Sequence, residues 1–384
     1  MKEWKECKIQ DICDKVISGG TPLTSNKDYY YPATIPWLKT GEVNYSYIYK
    51  TENFISEKGL KNSSAKLIPV NSIIVAMYGQ GYTAGRVAVN KIPLSTNQAC
   101  CNLQINEKIA HYAFVYYYLW TQYQQLVLYK TGGAQPNLNV DKIKKLKVQL
   151  PPLPTQKKIA SILSAYDDLI QNYKKQIKAL QTAASELYKE WFVRFRFPGY
   201  QTAKFENGLP AGWKVEKLEN VANISTGKCN REDAEEDGIY PLFDRSQEIK
   251  KSNEWIKDCE AIIVPGEGTS FIPRYYKGKF NLHQRCYCVE PKCSNFGKFL
   301  FYVLMLNRKY FLSVATGATV PSLRYNNFAS MKFVLPEISL CNRFNKLADC
   351  VFEKIDNLQQ QISNLTQQRG LLLPRLMSGK LKIK

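Results

Sequence analysis

Apolar side chains recur every seven residues in two long, otherwise polar stretches of the chain. One series begins at Ile159 and the other at Phe344, and each position has a companion four residues further on. Such a stripe along one side of a helix is typical of a coiled coil. The predicted seam positions are Ile159, Tyr166, Tyr173, Leu180 and Leu187 in the first helix, and Phe344, Val351, Leu358, Leu365 and Leu372 in the second.

The second series is the first displaced by 185 residues. This shared register predicts that the two helices pack on each other, and a pseudo-twofold relation between similar halves would make them antiparallel. A helix of about 38 residues rises to a length of about 55 Å. Pro198 is expected to end the first helix, and Pro374 to break or end the second. The alternative is two unrelated helices buried in separate domains.

The segments outside these helices have a mixed α/β pattern. The runs "SIIVAMYG" (72–79) and "KFVLP" (332–336) are typical of strands, whereas residues 109–128 have helical spacing from Ile109 to Val127. The aromatic residues of that helix are interpreted as core residues rather than as a platform for stacking bases.

A second repeat lies in the loops. "TGGAQPNLNV" (131–140) matches "TGATVPSLRY" (316–325) at the same offset of 185, and "EWKECKIQDI" (3–12) resembles "GWKVEKLENV" (212–221) at an offset of 209. The chain is therefore predicted to be a tandem duplication. We expect the loop to join each domain to its helix, with Gly132 and Gly317 at positive φ and Pro136 and Pro321 fixing the exit. Readout of bases by this loop is the alternative.

The resulting fold prediction is two tandem α/β (α+β) domains with an internal pseudo-twofold repeat and an antiparallel coiled coil. The domains are residues 1–150 and 199–336, and the helical regions are residues 151–198 and 337–384.

Charge narrows the possible partners. The 384 residues carry a formal net charge of +20, which favours a polyanionic partner such as nucleic acid. A generally basic protein from an organism with Lys-rich proteins is the alternative. The apolar run at 299–306 is too short to span a bilayer, so no membrane partner is expected. Without an export signal, the 11 cysteines are expected to be reduced thiols in the cytoplasm.

Motifs for catalysis and metal binding are missing from the sequence. It contains no Asn-Pro-Pro-Tyr methylase motif and no phosphate-binding loop, and only two histidines, His111 and His283. Gly79, Gly81 and Gly85 are interpreted as turn residues. The cluster "HQRCYCVEPKC" (283–293) has unusual spacing for zinc and is interpreted as a strand. We therefore expect no catalytic residue and no bound metal or cofactor in this chain.

Several stretches resemble the specificity subunits of type I restriction-modification systems. "LPPLPTQKKIASILSAYDDLIQ" (150–171) and "QQRGLLLPRLMSGKLKI" (367–383) are similar to the two conserved helical regions of that family. "SGGTP" (18–22) with "IPWLKTGEV" (35–43), and "ISTGK" (224–228) with "IYPLFDRSQEI" (239–249), resemble the starts of its target recognition domains. The family usually has a Glu followed by a Gln near the start of each helical region. This sequence departs from that pattern at Thr155, which stands in place of the Glu, and at "LPEISLCNRF" (335–344), which lacks the Gln.

The resemblance implies a subunit without catalysis of its own. Each recognition domain would read one half of an asymmetric, bipartite site in double-stranded DNA. The helices would set the spacer and recruit two methyltransferase subunits, which methylate adenine N6 with S-adenosylmethionine. Two restriction subunits, which use ATP and Mg²⁺, can join such a complex.

Candidate base-reading residues are polar side chains on loops and at the ends of elements. Arg and Lys suit guanine and Asn and Gln suit adenine in the major groove. The candidates are Lys39, Thr40, Tyr78, Gln80, Tyr82, Arg86, Asn97 and Gln98 in the first domain, and Arg245, Ser246, Thr269, Arg274, His283, Gln284 and Arg285 in the second. For each of them, a phosphate contact or a solvated position is the alternative. Two other functions stay open: a stand-alone DNA-modifying enzyme, and a coiled-coil scaffold or RNA-binding protein.

Overall fold

The computed structural model describes residues 4–79, 81–128 and 138–381. The chain divides into two compact units. The first unit is Met1–Tyr173 with Gln361–Lys384, and the second is Lys174–Gln360. Each unit therefore combines one mixed α/β part with segments of two long helices, α5 (Leu153–Tyr188) and α10 (Ile338–Met377).

The mixed part of the first unit holds three groups of hydrogen-bonded strands. Its strands are β1 (Lys5–Lys8), β2 (Cys13–Ser18), β3 (Ile35–Leu38), β4 (Tyr47–Ile48), β5 (Asn53–Ile55), β6 (Leu67–Ile68), β7 (Ile73–Ala76), β8 (Val87–Asn90), β9 (Leu94–Thr96), β10 (Cys100–Ile105) and β11 (Lys147–Leu150). Its short helices are α1 (Glu57–Lys61), α2 (Tyr112–Thr121), α3 (Tyr123–Leu128) and α4 (Val140–Lys145). The strand orders are β2-β10-β7-β8-β4, β5-β3-β9-β6 and β1-β11.

The second unit contains a larger sheet. Its strands are β12 (Phe205–Glu206), β13 (Leu209–Pro210), β14 (Lys214–Lys217), β15 (Ala222–Thr226), β16 (Tyr240–Phe243), β17 (Lys250–Ser252), β18 (Lys257–Pro265), β19 (Arg274–Leu282), β20 (Cys286–Pro291) and β21 (Lys332–Leu335). Its short helices are α6 (Leu218–Val221), α7 (Gly297–Leu306), α8 (Arg308–Val314) and α9 (Tyr325–Ala329). The six-stranded order is β15-β20-β18-β19-β16-β17, with separate pairs β12-β13 and β14-β21.

The two units share an order of elements. Strand β1 pairs with β11 through Lys5 and Leu150, and β14 pairs with β21 through Lys214 and Leu335. Lys5 and Lys214 are 209 residues apart, and Leu150 and Leu335 are 185 apart. The two offsets found in the sequence thus connect strands that pair with each other in the same register in both units.

Central strands are buried on both faces, which explains their continuous apolar runs. In β7, Ile73 and Val75 belong to the core cluster under α2, whereas Ile74 and Ala76 belong to a second cluster on the opposite face. Strand β18 alternates in the same way between two clusters of its own unit.

The helix predicted over residues 109–128 is two helices in the structure. Helix α2 begins at Tyr112 and ends at Thr121, and Gln122 separates it from α3. Ile109 precedes α2 and is 47% exposed, so it does not belong to the apolar face. Tyr116 and Tyr117 are fully buried, in agreement with the interpretation of these aromatics as core.

Helices α5 and α10 contact each other within each unit. Asp167 forms an ion pair with Arg369 in the first unit, and the rings of Tyr188 and Trp191 pack on Phe344 in the second. The ten predicted seam residues are all buried or half-buried.

The ends of the long helices differ from the expectation in one respect. Helix α5 continues into a π-helical turn, Lys189–Val193, and is over before Pro198. Helix α10 runs through Pro374 to Met377, so the prediction that this proline breaks or ends the helix is wrong. Only three residues of α10 follow Pro374, so the missing amide hydrogen affects only the last turn.

Candidate nucleic-acid interface

In each unit, a pair of parallel strands places two carboxyl ends side by side at one edge. Strand β3 is parallel to β9, and β16 is parallel to β19. Beyond the strands, the amide of Asn97 donates to the carbonyl of Leu38 at 3.0 Å, and the amide of His283 donates to the carbonyl of Phe243 at 3.0 Å. The loops that follow the paired strands therefore meet at one edge of each unit, and most of the predicted DNA-contacting residues lie there.

In the first unit, this edge brings three separate sequence segments together. The indole of Trp37 donates to the carbonyl of Gly20 at 3.0 Å, and the hydroxyl of Thr21 donates to the side-chain oxygen of Gln98. A Cβ atom on Gly20 would lie 2.2 Å from the backbone nitrogen of Ala65, so the close approach requires glycine.

The predicted residues of this edge differ in exposure. Lys39 and Gln98 are exposed, whereas Thr40 and Asn97 are half-buried. The ammonium of Lys39 lies 5.2 Å from the centre of the Trp37 ring, within the range of a cation–π contact.

The hairpin between β7 and β8 lies beside the same edge, because the amide of Met77 donates to the carbonyl of Ala99 at 2.8 Å. Tyr78 is half-buried, and the guanidinium of Arg86 donates to the side-chain oxygen of Asn44 at 2.9 Å. Tyr82 is 79% exposed. Its carbonyl accepts a hydrogen bond from the Tyr123 hydroxyl at 3.1 Å, which fixes the backbone below the exposed ring. Gln80 lies outside the described residues.

In the second unit, the edge is organised around the Glu267 carboxylate. One carboxylate oxygen accepts from Arg245 at 2.6 Å, and the other accepts from Arg285. The Glu267 side chain is only 13% exposed, whereas those of Arg245 and Arg285 are 46% and 55% exposed. Burial alone raises the pKa of the Glu267 carboxyl, but the two guanidinium groups outweigh it and hold the pKa below its ordinary value.

Two residues predicted to contact bases, Arg274 and His283, form hydrogen bonds with neighbouring backbone groups. Arg274 donates to the carbonyls of Asp244 and Ser246 at 2.6 and 2.8 Å, and its guanidinium lies 5.0 Å from the Phe243 ring centre. These contacts occupy Arg274 with the backbone of the neighbouring loop. Arg274 forms these contacts because it is the first residue of β19 and does not lie on an open loop.

His283 is 5% exposed, and its Nδ1 accepts a hydrogen bond from the Arg285 amide at 2.9 Å. Burial is the main cause that lowers the pKa of His283, and the positive charge of Arg245 adds to it. A neutral imidazole is required for Nδ1 to accept this bond. The side chain thus positions Arg285 and is not itself at the surface.

Ser246, Thr269 and Gln284 are exposed. The hydroxyl of Ser246 donates to Asp244, and the amide of Gln284 donates to the side-chain oxygen of Asn230 at 2.5 Å. Sequence reasoning missed Asp244, Asn230 and Glu267 because it looked for donors to bases and not for the acceptors that hold those donors. An acidic residue between two glycines, in a chain of net charge +20, was the available signal for Glu267.

The second copy of the repeated loop packs against the Glu267 loop. The Gly268 amide donates to the carbonyl of Pro321 at 3.0 Å, and the Leu323 amide donates to the carbonyl of Gly266 at 2.7 Å. Gly317 has a φ of 119°, as predicted for this glycine. Residues 131–137 of the first copy, including Gly132 and Pro136, lie outside the described residues.

The cysteine cluster forms a strand. Cys286 and Cys288 are buried in β20. Within residues 4–79, 81–128 and 138–381, no three His, Cys, Asp or Glu side chains are arranged to hold a metal ion. No helix in the described part of the chain is long and apolar enough to cross a membrane.

Comparisons with known proteins place the chain among DNA specificity proteins. The model of the type I restriction modification DNA specificity domain matches residues 1–182 and 210–365. The specificity subunit of the type I restriction enzyme MjaIX from Methanocaldococcus jannaschii is 28% identical, over all of this chain and 94% of that protein. The EcoDI specificity subunit from Escherichia coli is 31% identical over 44% of this chain and 36% of that protein.

A solved structure shares the fold. The type I restriction-modification S subunit from M. genitalium aligns with a TM-score of 0.61 and 18% identity, covering 97% of this chain and 96% of that one. Because the family model matches most of the sequence in two segments, the chain belongs to the type I restriction modification DNA specificity domain family.

Proposed function

We propose that this chain is the specificity subunit of a type I restriction-modification complex and reads an asymmetric, bipartite site in double-stranded DNA. Each unit would read one half of the site, and the chain would carry no catalytic residue of its own. The two segments matched by the family model support two reading domains, and the relatives in the comparison are specificity subunits.

The proposal depends on one observation: the two units share a backbone arrangement at this edge but carry different side chains on it. The bond from Asn97 to Leu38 in the first unit has its counterpart in the bond from His283 to Phe243 in the second. Around these matched bonds, the first edge presents Lys39 and Gln98, while the second presents Arg245, Gln284 and Arg285. Different donors on the same frame favour different bases, which is what an asymmetric target requires.

We also propose that α5 and α10 form an antiparallel coiled coil that acts as the spacer between the two readers, with the two halves related by a pseudo-twofold axis. The buried and half-buried seam positions and the matching offsets of paired strands support this arrangement. With 36 residues, α5 is about 54 Å long at about 1.5 Å per residue. On B-DNA this length corresponds to roughly 16 base pairs at about 3.4 Å each.

The partners follow from the family. We propose that the helical regions at residues 151–198 and 337–384 recruit two methyltransferase subunits, to which two restriction subunits can be added. S-adenosylmethionine, ATP and Mg²⁺ would then bind to those partners. Recruitment through these regions is supported by the sequence similarity at residues 150–171 and 367–383.

Selection from a random duplex pool tests the proposal. The chain is purified together with its methyltransferase, and bound duplexes are recovered at 150 mM salt and sequenced. We expect two different conserved blocks separated by a gap of fixed length. A single block, or no enrichment together with retained binding to structured RNA, would contradict bipartite reading and favour the RNA-binding alternative. Methylation by the chain without any partner would favour a stand-alone enzyme.

A further inference from the structure

Three loops of the second unit meet at one carboxylate. Arg245 follows β16, Arg285 precedes β20, and Glu267 follows β18. The carboxylate takes one nitrogen from each guanidinium, and the arginine side chains stay about half exposed while the carboxylate is covered. Each guanidinium has five N–H donors, so one bond to Glu267 leaves donors for another partner.

The loop that carries Glu267 is held in place on both sides. The amide of Gly266 donates to the carbonyl of Arg285 at 2.8 Å, and Glu267 forms a β-bridge with Ser322. A Cβ atom on Gly266 would lie 2.7 Å from the Arg285 carbonyl, so a larger residue would push the two loops apart. The backbone position of Glu267 is therefore set by contacts that do not involve the two arginine side chains.

The arginines are also anchored at their own backbones. The Arg285 amide donates to the imidazole of His283, and the loop that carries Arg245 is bound by the Arg274 guanidinium. Two arginines on anchored loops that bind the same carboxylate are held close to each other. This arrangement differs from a solvated charge cluster, in which exposed lysines or arginines sample many rotamers.

We propose that Glu267 is a positioning residue that holds Arg245 and Arg285 as one unit for reading guanine in the half-site of the second unit. Guanine presents two acceptors, O6 and N7, in the major groove, and arginine is the side chain that binds them as a bidentate pair. The inference rests on the proposed function of the chain. It adds that the half-site read by the second unit contains guanine at the bases facing these arginines.

Direct reading by Glu267 itself is the competing interpretation. A glutamate can accept from cytosine N4 in the major groove. Here both carboxylate oxygens already accept from arginine, and the side chain is 13% exposed. The geometry therefore favours a role through the arginines.

Removing the negative charge has opposite effects on two measurable quantities. In Glu267→Gln, the arginines lose their common anchor, so discrimination against a substituted guanine should fall about tenfold. The variant also gains one net positive charge, so its affinity for non-specific DNA should stay equal or rise. A residue that only stabilises the fold would lower binding to every duplex.

The test uses the full chain in complex with its methyltransferase. Dissociation constants are measured for the cognate duplex and for duplexes with one guanine replaced in either half-site. Glu248→Gln is the matched control, because this exposed glutamate lies on the same loop as Arg245 and the substitution changes charge equally. We expect Glu267→Gln to lose discrimination only in the half-site of the second unit, and Glu248→Gln to keep it in both.

Several outcomes would overturn the inference while leaving bipartite reading intact. Glu267→Gln that keeps its discrimination against a replaced guanine would overturn the inference. A loss of discrimination that is equal in both half-sites would also overturn it. Should Glu267→Gln unfold at a lower temperature, Arg245→Lys and Arg285→Lys decide, because lysine keeps the charge but cannot form the bidentate pair. Unchanged discrimination in both lysine variants would also overturn it. A wild-type complex without any sequence preference would instead contradict the proposed function itself.

Discussion

A buried ion pair between the long helices offers the most quantitative test of the fold. The Arg369 guanidinium binds Asp167, and the two side chains are 13% and 11% exposed. Asp167 also accepts from the Tyr117 hydroxyl at 2.5 Å, and Arg369 lies 4.5 Å from the Trp120 ring centre. The pair therefore fastens the last segment of α10 to both α5 and the core of the first unit.

The equivalent place in the second unit is apolar. Adding 185 to Asp167 gives Phe352, and subtracting 185 from Arg369 gives Ala184. Phe352 and Ala184 belong to the same apolar cluster around Phe344. Corresponding positions thus hold a charged pair in the first unit and two members of one apolar cluster in the second.

The perturbation is Arg369→Ala, with the double variant Asp167→Phe/Arg369→Ala as its counterpart. Removing one partner of a buried ion pair leaves a buried charge uncompensated and costs about 3–5 kcal/mol. Loss of the cation–π contact with Trp120 adds about 1 kcal/mol. For a unit of this size, such a change lowers the unfolding midpoint by about 10 °C. The double variant introduces the two residues found at the corresponding positions of the second unit. Replacing a buried ion pair by apolar residues is often neutral or stabilising, so this variant should recover most of the lost stability.

Thermal unfolding followed by circular dichroism and by tryptophan fluorescence measures the effect. Arg375→Ala is the control, because this exposed arginine lies on the same helix and should change stability by less than about 0.5 kcal/mol. The reasoning is refuted if Arg369→Ala is no less stable than Arg375→Ala. It is also refuted if the double variant is less stable than Arg369→Ala.

Three further predictions concern the spacer, the first reader and acid stability. Inserting one heptad into both α5 and α10 lengthens the helix pair by about 10 Å. The gap preferred in duplex selection should therefore grow by about 3 base pairs. An unchanged gap would show that the length of the helices does not set the spacing. Arg86→Ala should relax only the half-site of the first unit in competition binding, whereas equal weakening on all duplexes would assign Arg86 to phosphate. Burial alone would raise the pKa of Asp244, but Lys250 and Ser246 outweigh it and lower the pKa from 3.8 to about 2. The wild type should therefore lose about 2 kcal/mol more than Asp244→Asn as the pH falls from about 4 to about 2, and parallel acid-unfolding curves would contradict this.

The helices and the repeat are the features that the sequence defined best. Heptad spacing is a local pattern, and the offsets of 185 and 209 join strands that prove to pair in each unit. Arg369 lies four residues after Leu365, at a companion position of the second series. Its partner could not be found in the same way, because Asp167 lies outside the seam positions. It contacts Arg369 only because two helices that are far apart in the sequence pack together.

The reading surface was only partly predictable. Loops after strands were expected to carry it, and the parallel pairs β3-β9 and β16-β19 bring those loops together. Arg274 and His283 have side chains suited to base contact, yet neighbouring carbonyls and an amide occupy them. Composition gives the donors, whereas tertiary packing decides which of them reach solvent.

Methylation mapping of host DNA tests the central claim most directly. Genomic DNA is compared between cells that express the partner methyltransferase subunit alone and cells that express it together with this chain. We predict new N6-methyladenine at a single motif with two unlike parts and a gap of fixed length. An assembled, active complex that adds no methylation, or that methylates a continuous motif, would contradict the account.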